Sequence, residues 1–579
     1  MVPASLLLLG LCITNLSGTL FSTNGSFPIV HLPKLGQLRG SFATSAFSNR
    51  TIYQFLSIKY AESPSGQFRF KAPQKAQPWI DERDVSRYGL PCPQLKLSSL
   101  FSSNSSDSDP EDCLTLSVYS NELSKPKPVM FFIHGGAFFE GSGAHYTPEY
   151  LLEKDIVLVV VQYRLGPLGF LSLQTGDIPG NVGLLDIKLA LEWVQDNIGA
   201  FGGDPEQVTI FGQSAGAAAV SALILSPLVP EGLFSKAILQ SGASSSAKFW
   251  DNDPVGHVLE MAKIAGCDLQ LEKSERRSIT QQADDCLRHM DVWHLLRAFN
   301  EHRLITLREK GMAEGGGDRL VVEDFHGFLP EKSLDLIKSG KLLRNLTLMA
   351  GVTKNDGTYL LRTVYDLMKA KGLLDDRQFV KHKLLDAVNG MLGIDDSTGS
   401  VTGYEILSLF DPQELASGNF ENLTDGLTDL IGTVFIKAPL LREVQANSRI
   451  NPGRTFLYSF DYRGEKTRFG YGADTSHYPF KGGIHHSDDL LYLFPHPPGE
   501  PKSNDKDRQM VRLMVDLWTS FARTGVPYTE KSNCVEWSAV TDFAGPYLHI
   551  DEQPHIGSNF YQEVSVASNE KRRTGRTSL

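Results

Sequence analysis

Gly212-Gln213-Ser214-Ala215-Gly216 sets one serine between two glycines. A serine hydroxyl is a weak nucleophile until an adjacent base takes its proton. The apolar run 208–211 before this motif reads as a strand, and the alanine-rich run 215–225 after it suits a helix. A sharp strand-to-helix turn strains the serine backbone and needs small neighbours, which Gly212 and Gly216 supply. Such a turn lifts the hydroxyl above the sheet edge with a helix N-terminus behind it. Gly-X-Ser-X-Gly alone arises by chance in chains of this length, so the flanking strand and helix carry the reading.

Acyl transfer from such a serine builds negative charge on the former carbonyl oxygen, and that oxygen needs backbone N–H donors. His134-Gly135-Gly136-Ala137-Phe138 follows the apolar run 129–133. Its small residues let the backbone come close, so the amides of Gly136, Ala137 and Ala215 are expected to converge as an oxyanion hole. A base should follow late in the chain. His485-His486 in Gly483-Ile484-His485-His486-Ser487-Asp488-Asp489 offers two imidazoles, and periodicity does not choose between them. The carboxylate that orients the base should come between serine and histidine, just past a strand. Asp356, after the apolar run 346–350, meets that condition. The order serine, acid, histidine is the one used by α/β-hydrolases.

The elements that would hold these residues are legible as short apolar runs separated by helical patterns. Runs 129–133, 156–163, 208–211 and 237–240 read as strands buried on both faces. Leu184, Ile187, Leu191, Val194 and Ile198 form a stripe at helical spacing. Strands alternating with helices predict an α/β architecture around a large, mostly parallel sheet covered by helices on both faces. Later, 346–350 and 455–460 read as strands, and 507–524 as a helix stopped by Gly525 and Pro527. Segment 251–341 has mixed periodicity and is expected to cap the sheet. No repeat and no linker divides the chain, so 21–565 is read as one domain.

The ends and the cysteines point to export. Residues 1–20 read as a signal peptide, with an apolar core too short to span a bilayer. Asn24, Asn49, Asn104, Asn345 and Asn422 stand in Asn-X-Ser/Thr acceptor triplets, which predicts glycosylation. Spacing suggests two local disulfides, Cys92–Cys113 and Cys267–Cys286, with Cys534 left over. Residues 566–579 form a polar tail without a lipid-anchor or retention signal. The net charge of −11 argues against nucleic acid as the main partner, and no run is long enough for a membrane helix. Neither zinc-ligand spacing nor a phosphate loop is present, so no metal or cofactor is expected.

Several longer motifs resemble the type-B carboxylesterase family, which includes cholinesterases and juvenile-hormone-esterase-like enzymes. They are Pro110-Glu-Asp-Cys-Leu-Thr-Leu-Ser-Val-Tyr119, Tyr163-Arg-Leu-Gly-Pro-Leu-Gly-Phe170, Gly180-Asn-Val-Gly-Leu-Leu-Asp186 and Thr209-Ile-Phe-Gly-Gln-Ser-Ala-Gly-Ala217. The resemblance spans roughly residues 30–546. It implies the α/β-hydrolase fold and hydrolysis of a small-molecule carboxylic ester by a secreted enzyme. It also selects His486 over His485, because the family places its histidine at that distance before Leu-X-Tyr-Leu-Phe, here Leu490 to Phe494. The same two disulfides and the ion pairs Arg69–Glu111 and Arg164–Asp186 are implied in the same way. Two departures stand out. The family acid is usually glutamate, whereas Asp356 is one methylene shorter, and the third oxyanion residue, often glycine, is Ala137. A cholinesterase reading is disfavoured: the Cys92–Cys113 loop has no tryptophan to face a quaternary ammonium, and Gln213 replaces the usual glutamate. A binding protein on the same fold would usually lack the serine or the histidine, and this chain keeps both.

Overall fold

In the computed structural model, the described residues are 27–564, apart from 96–108, 271–275, 313, 343–344, 394–408, 502–503, 530–535 and 543. The signal-peptide expectation, Asn24, Asn104, Cys534 and the polar tail therefore lie outside the described residues. Fourteen strands are described. The first half holds β1 (Ile29–Leu32), β2 (Gly36–Arg39), β3 (Ser41–Thr44), β4 (Thr51–Lys59), β5 (Arg83–Asp84), β6 (Thr115–Ser120), β7 (Lys127–Ile133), β8 (Val157–Val161), β9 (Gly203–Gln213) and β10 (Lys236–Gln240). The second half holds β11 (Thr347–Thr353), β12 (Thr455–Phe460), β13 (Tyr547–Ile550) and β14 (His555–Gly557).

Eleven of them form one sheet in the order β14-β13-β12-β11-β10-β9-β7-β8-β6-β4-β3, and β1, β2 and β5 make a separate small sheet. The run from β8 through β7, β9, β10, β11 and β12 to β13 is parallel. The flanks β3, β4 and β6, and the last strand β14, pair antiparallel. The expected α/β-hydrolase architecture is therefore present, with antiparallel margins that the apolar runs did not reveal. The strands β7, β9, β10 and β11 extend beyond the apolar runs 129–133, 208–211, 237–240 and 346–350 at one or both ends. The run 156–163 was read long, since β8 covers Val157–Val161.

The side chains of the central strands alternate between two cores, as the two-residue period of a strand requires. Val129, Phe131 and Ile133 face one core, with the helices Val182–Asn197 and Ala215–Leu225. Met130 and Phe132 face the other, with Trp518 and Phe521 of the helix Asp505–Thr524. That helix begins two residues earlier than its apolar pattern indicated. The Asn504 side chain caps it by accepting from the Asp507 N–H at 2.7 Å, and Gly525, with φ of 79°, ends it. Segment 251–341 supplies the helices Pro254–Ile264, Arg276–His289 and Val292–Glu309, which build a third core of their own. The disulfide Cys267–Cys286 lies within this group, and Cys92–Cys113 joins the first core. The ion pairs Arg69–Glu111 and Arg164–Asp186 are both formed, and all four side chains are buried.

Candidate active site

Strand register brings the chemistry-bearing segments together. Ile133 of β7 stands opposite Gly212 of β9, and Gln213 stands opposite Gln240 of β10. Gln240 in turn faces Gly351 of β11. Chain segments leaving the carboxyl ends of these neighbouring parallel strands therefore share one crevice, the usual ligand site of such sheets. His134 and its glycines leave β7, Ser214 leaves β9 and Asp356 leaves β11.

Ser214 sits at φ 58° and ψ −123°, a strained conformation for a residue with a side chain. Its N–H donates to the Gln240 carbonyl at 2.8 Å, which fixes the turn. A Cβ on Gly216 would lie 2.1 Å from the Ile133 carbonyl oxygen, and one on Gly212 would meet the Gly216 backbone at 2.6 Å. The close crossing of strand and helix thus requires glycine at both positions. The helix Ala215–Leu225 starts directly after the serine and is buried along its whole length.

Beside this turn the segment 134–138 is sharply bent: Gly136, Ala137 and Phe138 have φ of 118°, 52° and 62°. His134 anchors it. Its ring stacks on Tyr163 at 4.6 Å, and the Tyr163 hydroxyl donates to the His134 carbonyl at 2.7 Å. Burial lowers the His134 imidazole to about 4, so it stays neutral and structural. Among the hydrogen bonds of the described residues, none is donated by the amides of Gly136, Ala137 or Ala215. Ala137 adopts positive φ without being glycine, a cost of the order of 1 kcal/mol.

Of the two histidines, His486 is the one whose ring meets Asp356. His486 Nδ1 lies 2.7 Å from Asp356 Oδ1, and both side chains are buried. The shorter acid therefore reaches the imidazole. The loops are matched by two hydrogen bonds: the Asn355 N–H donates to the Ile484 carbonyl at 3.0 Å, and the Ile484 N–H donates to the Asn355 side-chain Oδ1 at 2.9 Å. The Thr353 N–H donates to Asp356 Oδ2 at 3.1 Å. His485 instead turns its Nδ1 to the His486 carbonyl at 2.8 Å, and burial lowers its imidazole to about 3. Asp488 holds the loop by accepting from the His485 N–H at 2.9 Å and from the Thr467 hydroxyl at 2.8 Å.

Since a carboxylate accepts, the neutral form of His486 carries its proton on Nδ1 and its lone pair on Nε2. The Gln213 side-chain amide lies 3.1 Å from that Nε2. Among the described residues, this is the hydrogen bond that Nε2 receives, and Ser214 Oγ makes none to it. Tyr359 stacks on His486 with ring centroids 5.2 Å apart and planes 26° from parallel. Behind the histidine, Asp489 accepts from the Gln240 amide at 2.7 Å, and burial pushes its carboxyl up to about 6.

A cavity of about 170 Å³ touches this group through Ala137 and Tyr359. It adjoins one of about 520 Å³ that shares Phe139, Arg303 and Tyr359 as walls. A larger cavity, of about 790 Å³, is lined by Lys354, Asn355, Tyr478 and Ile484 and contains none of Ser214, Asp356, His486 or Ala137, so its size does not make it the reacting site. Sequence reasoning missed the Gln213 contact, the Tyr359 stack and a lysine in the small cavity, Lys248. Tyr359 had one available signal: it lies three residues after Asp356, at the start of the helix Thr358–Ala370.

Among the described residues, no group of three or more His, Cys, Asp or Glu side chains is arranged to hold a metal ion, and no helix is long and apolar enough to cross a membrane. Asn49, Asn345 and Asn422 are exposed, as acceptors for glycans must be.

The carboxylesterase family model matches residues 26–568. The chain is 33% identical to glutactin of Drosophila melanogaster over 544 residues, covering 92% of this chain and 51% of glutactin. It thus spans about half the length of that relative. It is 31% identical to juvenile hormone esterase of Tribolium castaneum over 517 residues, covering 87% of this chain and 84% of the other. Against cholinesterase of Mus musculus the identity is 30% over 542 residues, covering 90% and 83%. With a family match over nearly its whole length and the fold to go with it, the chain belongs to the carboxylesterase family of α/β-hydrolases.

Proposed function

We propose that the protein hydrolyses carboxylic esters to acid and alcohol through a seryl acyl-enzyme. The observation that carries this reading is the 2.7 Å contact between Asp356 and His486, two residues 130 apart in sequence, beside the strained Ser214. Ser214 Oγ attacks the ester carbonyl while His486 Nε2 takes its proton, and Asp356 stabilises the imidazolium that forms. The amides of Gly136, Ala137 and Ala215 hold the oxyanion. As the tetrahedral intermediate collapses, His486 protonates the departing alcohol. Water then attacks the acyl-enzyme in the same way, His486 again taking and returning the proton, and the acid leaves.

The reading includes secretion through a cleaved leader and glycosylation at exposed asparagines. Two disulfides and the acceptor triplets support it.

The test is turnover of simple neutral esters by the full chain and by Ser214→Ala and His486→Ala. Wild type should release acid, and either variant should lose at least about a thousandfold in kcat. Equal turnover in wild type and Ser214→Ala would remove the serine from the mechanism.

A further inference from the structure

The small cavity beside Ala137 and Tyr359 holds a cation, Lys248, that no described side chain pairs with directly. Lys248 Nζ lies 5.2 Å from the ring centroid of Phe249, 5.6 Å from that of Tyr359 and 6.0 Å from that of Phe435. Among the described residues, Lys248 forms no ion pair and no hydrogen bond. Aromatic faces attract an ammonium, but they replace only part of the hydration it loses. Burial depresses the Lys248 ammonium to about 8, and Arg319 pushes the same way. The carboxylate that opposes this is Asp356, which is already engaged by His486.

Further positive charge lines the same cavity. Arg303 stacks over Phe139 at 3.9 Å, and its buried Nε has no hydrogen-bond partner. Arg319 donates to the carbonyls of Met312 and Glu314 at 3.0 and 2.7 Å. Two acids also line the cavity. Glu314 is exposed; burial raises the Asp318 carboxyl above its usual range, and the charges of Arg319 and Arg303 oppose that rise. The acids thus answer to the arginines, and Lys248 is left over. Lys248 is only partly exposed, and a cation withdrawn from water without a counter-charge of its own is costly, so one retained in a ligand cavity fits a ligand that brings the counter-charge.

Resting on the esterase reading above, we infer that this site selects esters bearing an anionic group, a carboxylate or a comparable oxyanion, on the half of the substrate lodged in this cavity. Lys248 is its direct counter-ion, and Arg303 and Arg319 set a positive field around it. Ala137 and Lys248 line one small chamber, so the ester carbonyl and the anion are separated by a short spacer.

Two matched substrate pairs test this. Ethyl hydrogen succinate against ethyl pentanoate places the charge on the acyl side. The butyrate ester of 3-hydroxypropanoate against butyl butyrate places it on the alcohol side. Wild type should favour the anionic member of one pair by at least about tenfold in kcat/KM, and that pair tells which half enters the cavity. Lys248→Met should erase the preference, lowering the anionic ester's kcat/KM by about tenfold or more, and Lys248→Arg should restore most of it. No anionic preference in wild type in either pair, or a preference that survives Lys248→Met, overturns the inference. Neutral-ester turnover and organophosphate labelling of Ser214 report separately on the esterase reading. If both occur without anionic preference, this inference alone fails. If neither occurs, both fail.

Discussion

The side-chain amide nitrogen of Gln213 lies 3.1 Å from Nε2 of His486, on the ring nitrogen that the proposed mechanism needs for the serine proton. The resting site therefore satisfies its base with the residue immediately before Ser214. On substrate binding this contact must yield to the serine hydroxyl. A carboxylate at the same place would stabilise the protonated imidazole instead. Gln213→Glu should accordingly move the acid limb of the kcat/KM profile to higher pH by about one unit. A pH–rate series on both proteins checks this. An unmoved limb would mean that residue 213 does not face the base during turnover.

Asp356 tests the orienting role of the shorter acid. It is almost wholly buried and accepts from both His486 and the Thr353 N–H. Asp356→Asn keeps the shape but offers an amide N–H or a weak acceptor to Nδ1, so the wrong imidazole tautomer is favoured. Its kcat should fall by about four orders of magnitude with KM little changed. Steady-state kinetics, with circular dichroism to confirm folding, decides the matter. A loss below about tenfold would show that another group orients His486.

Glu443 should give the folded protein a pH-dependent stability. Its carboxylate is buried behind the helix Ala215–Leu225, where the Ser221 hydroxyl donates to it at 2.7 Å and the Ser245 N–H at 3.3 Å. Burial raises it from 4.5 to about 7. Between those values the folded chain keeps a proton that the unfolded chain has released. Folding then binds protons, and this group's contribution falls as pH rises from 4.5 to about 7, by about 3 kcal/mol in total. Glu443→Gln stays neutral throughout. The difference in Tm between variant and wild type should grow in the variant's favour from pH 5 to pH 7. A constant difference across that range would show that the carboxyl does not titrate there.

The exposed acceptor residues Asn49, Asn345 and Asn422 give a direct check on export. Expressed as the full chain in insect cells, the protein should appear in the medium and lose mass on treatment with peptide N-glycosidase. Retention inside the cells without glycan would contradict secretion.

Much of this site was legible because its parts are local. Gly212 to Gly216 and His134 to Phe138 each encode a turn within five residues, and the apolar runs beside them name the strands that carry them. The parallel centre followed from strands buried on both faces. The margins did not: β6 is buried throughout and β4 only in part, and their antiparallel pairing is a property of the partner strand. The helices Pro254–Ile264, Arg276–His289 and Val292–Glu309 were hidden because they bury their apolar faces in a core apart from the sheet. The contacts of Gln213, Tyr359 and Lys248 arise where loops from distant parts of the chain meet, and spacing within one segment carries no record of that. Even His485 and His486 differ only in which neighbour each ring meets.

The most direct test of the central claim is covalent. The intact protein, treated with a fluorophosphonate probe and digested, should yield one modified peptide, with the adduct on Ser214. His486→Ala should slow that labelling by at least about a thousandfold, and Ser214→Ala should abolish it. A folded wild-type protein that takes up no probe, or one labelled equally after Ser214→Ala, would contradict the account.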